Sequence, residues 1–201
     1  MRFILEIIKG IQRKCGKDFP ILVRYSAEEW MPGHRELQES LKIAKTLEEA
    51  GVAALDISAG TFEASETVMD PMYFHQGWNT YAAAAVKEVV NIPVITSHSL
   101  RDPKYCDLII KEGKADLVGL SRQMVADPYW AKKAMYGQEE DIRKCISCLV
   151  GCWKESLMIK QEMRCAINPA MGDTRFLHMT KTDKPMNIAI VGGGIAGMEA
   201  A

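Results

Sequence analysis

From Arg2 to Leu120 the chain alternates between two hydrophobic periods. Phe3, Ile4, Ile7, Ile8 and Ile11 form the stripe of an amphipathic helix, and "FPILVRYS" (19–26) then reads as a short buried strand. The same pair recurs. A helix through Leu37, Leu41, Ala44 and Leu47 stops near Gly51 and feeds "AALDIS". A helix from about Asn79 to Val90 feeds "IPVIT", and one from Pro103 to Gly113 feeds "DLVGL". A last helix is expected from Pro128 to about Tyr136. Strands alternating with amphipathic helices predict parallel βα units whose strands are buried on both faces.

Four such strands make half of an eight-stranded barrel, and equally part of an open doubly wound sheet. Two loops favour the barrel. "SHSLRDP" follows the third strand and "SRQMVADP" the fourth, each leading through a short polar loop to Asp-Pro. Asp102 and Asp127 are expected as helix N-caps, each with a proline at the first helical position. Consecutive strand ends of this kind suit the phosphate site that barrels build after their last two strands. Arg24, expected at the C-terminal end of its strand, is placed to stabilise anionic charge on a reduced flavin ring or to make a rim salt bridge. Arg122 is a candidate phosphate partner, against a plain surface charge. The connection 59–78 is too long to be idle, so Tyr73 and His75 within it are candidate substrate contacts, the alternative being that they pack the loop.

Past Gly137 the periodicity lapses into a cysteine-rich segment. Four of the six cysteines, Cys145, Cys148, Cys152 and Cys165, follow the spacing Cys-x2-Cys-x3-Cys-x12-Cys. Three close thiolates and one remote one can surround an iron-sulfur cubane. A structural zinc site is the competitor, though it usually presents two matched Cys-x2-Cys knuckles, and free thiols are the third reading. Cys15 and Cys106 each stand alone in a helical pattern and read as simple thiols. A polar linker precedes "MNIAIVGGGIAGMEAA", in which Gly192, Gly194 and Gly197 form G-x-G-x-x-G between an expected strand and a helix start. In that context the turn fits a dinucleotide pyrophosphate, with an incidental glycine turn as the alternative. The expected division is 1–137, 138–172, a linker 173–185, and 186–201.

Composition narrows the function classes. Lys and Arg number 25 against 26 Asp and Glu, with no long block of one sign, so neither nucleic acid nor an anionic membrane surface is indicated. The opening "MRFILEIIKG" is too short, and too soon interrupted by Glu6, for a secretory signal. No apolar run approaches the roughly 20 residues of a bilayer span. A cytoplasmic setting is expected, where clustered cysteines hold a metal more readily than they pair.

The order "LVRYS", "ADLVGLSRQMVADPYWAKKA", "DIRKCISCLVGC", "CAINPAMG" and "IAIVGGGIAGMEAA" resembles the NADH:flavin oxidoreductases related to old yellow enzyme. Within that group it is similar to the multi-cofactor type: 2,4-dienoyl-CoA reductase, 2-enoate reductase, the bile-acid-inducible flavin oxidoreductases and trimethylamine dehydrogenase. The resemblance implies the C-terminal half of a TIM (β/α)8 barrel, a [4Fe-4S] segment, and the first βα turn of a Rossmann-like FAD/NAD domain. It implies FMN contacts at Arg24, Ser97, His98, Ser99, Ser121 and Arg122, the cluster on the four cysteines, and FAD at Gly192, Gly194 and Gly197. His98 and Ser121 stand where the family commonly has glycine. Electrons would pass from NAD(P)H through FAD and the cluster to FMN, and then to an activated C=C bond of a carboxylate, CoA thioester or steroid-like substrate. Amine dehydrogenation on the same scaffold and a zinc-stabilised non-redox module are the alternatives. The resemblance also implies a much longer chain, possible homo-oligomers of it, and an internal fragment here that is inactive alone.

Overall fold

The computed structural model describes residues 1–173, 180 and 182–201. Four parallel strands, β1 (Leu22–Ser26), β2 (Ala54–Ser58), β3 (Val94–Thr96) and β4 (Leu117–Val118), pair in the order β1-β2-β3-β4. Between them run α1 (Arg2–Cys15), which precedes β1, then α2 (Leu37–Glu49), the single turn α3 (Ser65–Val68), α4 (Thr80–Lys87) and α5 (Pro103–Lys111). After β4 come α6 (Arg122–Ala126) and α7 (Trp130–Met135), and α8 (Ile195–Ala200) lies near the C-terminus. This is the parallel α/β arrangement of the sequence reading, and consecutive strand neighbours are what a barrel wall requires.

One face of the sheet is a core. Leu55, Ile57 and Val94 are buried with Ile8, Ala44, Leu47, Ala82, Ala83 and Val86, with Val23 and Tyr25 packed against them. The helical stripes therefore cover the strands as the pattern required. The other face is open: Leu22 is 59% and Leu117 50% exposed. The expectation of strands buried on both faces is corrected here, because four strands do not close a barrel and their inward row meets no opposing wall. In that row the register sets Arg24 against Asp56, Asp56 against Ile95, and Ile95 against Leu117.

Several local expectations change. Asp102 caps α5, accepting from the amides of Lys104 and Tyr105 with Pro103 in the first turn. Asp127 is no N-cap, since α7 begins at Trp130. It ends α6 and accepts from the Tyr129 amide in the intervening turn. α4 is shorter than expected because the chain turns before Val90. Residues 186–191 form no ladder with the described residues, so the expected strand is absent: a strand needs a pairing partner. The linker expected over 173–185 lies partly outside the described residues.

Candidate functional site: two adjoining cavities

The strand ends and the loops after β3 and β4 enclose a cavity of about 270 Å³. Arg24, Asp56, Ser97, His98, Ser99, Ser121 and Arg122 line it, with Asp70, Arg101, Gln123, Cys145 and Ser147. All six residues expected around FMN are thus brought to one place. Arg24 stands mid-strand in β1 rather than at its end. It donates to Asp56 Oδ2 at 2.6 Å and to Ser58 Oγ at 3.1 Å, so it makes the salt bridge of the alternative reading while still lining the cavity. Tyr73 and His75 do not line it. Both are exposed, and Tyr73 donates to Glu66 at 3.1 Å.

The loop 59–78 reaches the site through other residues. Asp70, 1% exposed, accepts from Arg122 Nη2 at 2.6 Å, pairs with His98 Nδ1 at 3.4 Å, and accepts from the Ser99 hydroxyl. Arg122 also donates to the Asp70 carbonyl at 2.7 Å. Gln76 accepts from the amides of Arg101 and Asp102, and the Trp78 ring stands edge-on to His98 at 5.3 Å. Asp70 was missed by sequence reasoning, although it opens a third Asp-Pro step, Asp70-Pro71, beside the two that were read. His98 and Ser99 hold left-handed backbone, φ 79° and 51°, a conformation glycine adopts freely.

A second, tighter cavity is lined by Cys145, Cys148, Cys152 and Cys165, with Arg122, Ser147, Gly151 and Arg164. The chain reaches it by specific anchors. Gln123, buried, accepts from the Cys145 amide at 2.9 Å and donates to the Arg143 carbonyl at 2.9 Å. Arg101 donates to the Cys145 carbonyl at 2.8 Å, and Asn168 donates to the Val125 carbonyl at 2.8 Å. Residues Val150–Met158 wind as a wide helix with bonds from Lys154 to Leu149 and from Ile159 to Lys154, five residues apart. Gly151 lets the remote cysteine return: a Cβ there would lie 2.3 Å from the Arg164 carbonyl oxygen. Burial pushes the Cys152 thiol up and Cys145 adds to this, while Arg122 opposes them. No three of the described His, Cys, Asp or Glu side chains stand close enough together to hold a metal ion.

Arg122, Cys145 and Ser147 line both cavities, so the two share a wall. Farther on, Gly192 has φ 115°, and a Cβ on Gly197 would fall 1.9 Å from the Gly192 carbonyl oxygen. The turn before α8 thus closes only with glycine at those places, the Met198 amide donating to Gly194 at 2.9 Å.

Residues 1–141 match the NADH:flavin oxidoreductase / NADH oxidase family. The chain belongs to this family. Across its whole length it is 45% identical to an NADH oxidase of Thermoanaerobacter brockii, covering 31% of that protein. It is 33% identical to a cinnamate reductase of Clostridium sporogenes, covering 32%. Among solved structures, a 2-naphthoyl-CoA reductase in complex with 2-naphthoyl-CoA superposes with a TM-score of 0.93 at 29% identity, over all of this chain and 31% of that one. The chain therefore spans about three tenths of the length of these relatives. No described helix is long and apolar enough to cross a membrane.

Proposed function

We propose that this chain carries part of an FMN site and a complete four-cysteine ligand set in an NAD(P)H-dependent oxidoreductase that reduces an activated C=C bond. The observation that supports this most strongly is the shared wall of Arg122, Cys145 and Ser147 between the two cavities. When bound, the flavins supply hydride chemistry and a [4Fe-4S] cluster supplies single-electron relay. The chain's own residues fit these groups. Arg24 and Arg122 offer positive charge to the flavin cavity and Ser97, Ser99 and Ser121 offer hydroxyls. Asp56 Oδ1 is buried without a partner among the described residues, an acceptor for a ligand N–H. Around the second cavity the donor set is four thiols, the chemistry of an iron-sulfur centre. Zinc competes for the same four thiols, but structural zinc sites usually present two matched Cys-x2-Cys knuckles and this segment has one. The turn at Gly192, Gly194 and Gly197, with positive φ at Gly192 and no room for a Cβ at Gly197, supports approach to an FAD pyrophosphate.

The cinnamate reductase and 2-naphthoyl-CoA reductase relatives support an unsaturated carboxylate or CoA thioester as substrate. The test is an anaerobic titration of the full-length polypeptide with NADH, following flavin absorbance. The parent bleaches fully. Cys152→Ser retains both flavins but bleaches only about half of the absorbance, since the second flavin is cut off from its relay. Full, rapid bleaching of the variant would remove the relay from the scheme, and stoichiometric zinc in place of iron would favour a non-redox module.

A further inference from the structure

His98 sits at the centre of a hydrogen-bonded path that neither the cavity lining nor the family assignment explains. Its Nδ1 faces Asp70 Oδ1 at 3.4 Å and its Nε2 faces Ser58 Oγ at 3.3 Å. An ionised carboxylate only accepts, so Nδ1 carries hydrogen toward Asp70. Ser58 Oγ accepts from Arg24 Nη2 at 3.1 Å and keeps a hydrogen that can point at Nε2. With that hydrogen pointing at Nε2 the ring is the Nδ1–H tautomer, and turning the hydroxyl lets Nε2 carry a proton instead.

Two of the three arginines in the cavity wall are paired with carboxylates. Arg122 from α6 is paired with Asp70, and Arg24 from β1 with Asp56 from β2, each at 2.6 Å. Arg101, also in the cavity wall, is held by the Cys145 carbonyl. Trp78 closes the side of the ring with an apolar edge contact and carries no charge. Imidazole changes charge in the neutral pH range, and this one is placed on left-handed backbone where glycine would be easier, buried, with both nitrogens partnered.

We propose that His98 is a proton-holding positioning residue, which takes up one proton from solvent when negative charge develops on a flavin beside Arg24 and gives it back on reoxidation. This rests on the reading that the larger cavity takes FMN. The two electrons come from reduced pyridine nucleotide through the enzyme's own redox chain. The extra proton adds to Nε2. The Ser58 hydroxyl then turns, its oxygen accepting from both Arg24 and His98 while its hydrogen, still bonded to that oxygen, swings toward another acceptor. Asp56 Oδ1, on the same face of β2 and without a partner among the described residues, is one such acceptor. Asp70 stays ionised throughout and holds the ring in register.

The test is the FMN midpoint potential of the holoenzyme as a function of pH, in the parent and in His98→Asn. Asparagine tolerates left-handed backbone and keeps hydrogen-bonding capacity but does not titrate. One further proton per two electrons steepens the parent's dependence by about 30 mV per pH unit, and His98→Asn loses that increment. Equal slopes with FMN bound in both proteins overturn the inference and leave the proposed function standing. Absence of FMN from the parent overturns both. A second readout does not depend on the variant folding: in the parent with ¹³C-labelled histidine, the His98 ring signals move to the imidazolium position on reduction at constant neutral pH. Ring signals that stay put while the flavin bleaches overturn the inference equally.

Discussion

Arg122 donates to Asp70 twice, to its carboxylate at 2.6 Å and to its backbone carbonyl at 2.7 Å, tying the start of α6 to the loop ahead of Pro71. Both partners are shielded from water, so their mutual attraction is little screened and their desolvation must be compensated by the pairing. Removing one partner leaves the other charge buried. Asp70→Ala is expected to lower unfolding stability by about 3 to 5 kcal/mol, and Asp70→Asn by less because an amide oxygen still accepts. Denaturant unfolding of the full-length polypeptide measures both. A loss below about 1 kcal/mol for the alanine variant would show that the pair behaves as an exposed one.

Gly151 is where the cysteine segment folds back on itself. A methyl group there would meet the Arg164 carbonyl carbon at 2.6 Å and its oxygen closer still, which is backbone and does not move aside. Gly151→Ala is therefore expected to push Cys165 away from the other three cysteines and to abolish iron retention while the helix-covered sheet still folds. Gly10→Ala is the control. Gly10 lies inside α1 with nothing within 4 Å, so that change should raise stability by about 0.5 to 1 kcal/mol and leave iron unchanged. Iron analysis and thermal melts read the two apart.

Asp127 gives the cysteine segment a pH dependence. Burial alone would raise its carboxyl, but the Lys133 ammonium, at 2.6 Å, outweighs that together with the amides of Arg143 and Tyr129, and holds it below the ordinary range. A carboxyl depressed in the folded state stabilises it above the unfolded pKa, and that stabilisation is lost as pH falls through the folded value. Asp102 is lowered in the same sense, first by its bond from Lys144, next to Cys145. Asp127→Asn should thus be less stable than the parent at neutral pH, and the gap should close on acidification below the ordinary carboxylate range. A gap that persists there would mean that the carboxylate charge is not the cause. Urea melts across pH test this.

The two lone thiols differ. Burial pushes Cys106 up to about 12, with Asp102 and Asp107 adding to the shift, whereas Cys15 is exposed at the end of α1. Because the thiolate is the nucleophile, iodoacetamide at mildly alkaline pH should modify Cys15 and spare Cys106 until the protein unfolds. Peptide mass mapping checks this. Prompt alkylation of Cys106 in the folded protein would contradict the packing of Leu100, Ile109, Ala115, Trp130 and Ile142 around it.

The helix and strand periods were legible in the sequence because one sheet face is a real core, and periodicity reports burial. Asp102 was legible as a cap because Asp-Pro acts locally. Asp127, with the same dipeptide, was misread because its carboxylate is drawn to Lys133 and the Arg143 amide, partners that only the folded chain brings near. The same limit hid Asp70, whose three side-chain partners come from the loop after β3 and from α6. The spacing of the cysteines announced a common site, but nothing in that spacing revealed that Arg122, Cys145 and Ser147 would also wall the neighbouring cavity. Tyr73 and His75 were chosen for their chemistry within a long loop, and the loop turns them outward while turning Asp70 and Trp78 in.

The proposed adjacency of a flavin cavity and an iron-sulfur cavity in this protein is best checked by anaerobic purification of the full-length polypeptide with quantitation of non-haem iron, acid-labile sulfide and FMN. About four iron and four sulfide per chain are expected together with bound FMN, with loss of the iron alone in Cys165→Ser. Purified protein with neither iron nor flavin, or with one zinc in their place, would contradict it.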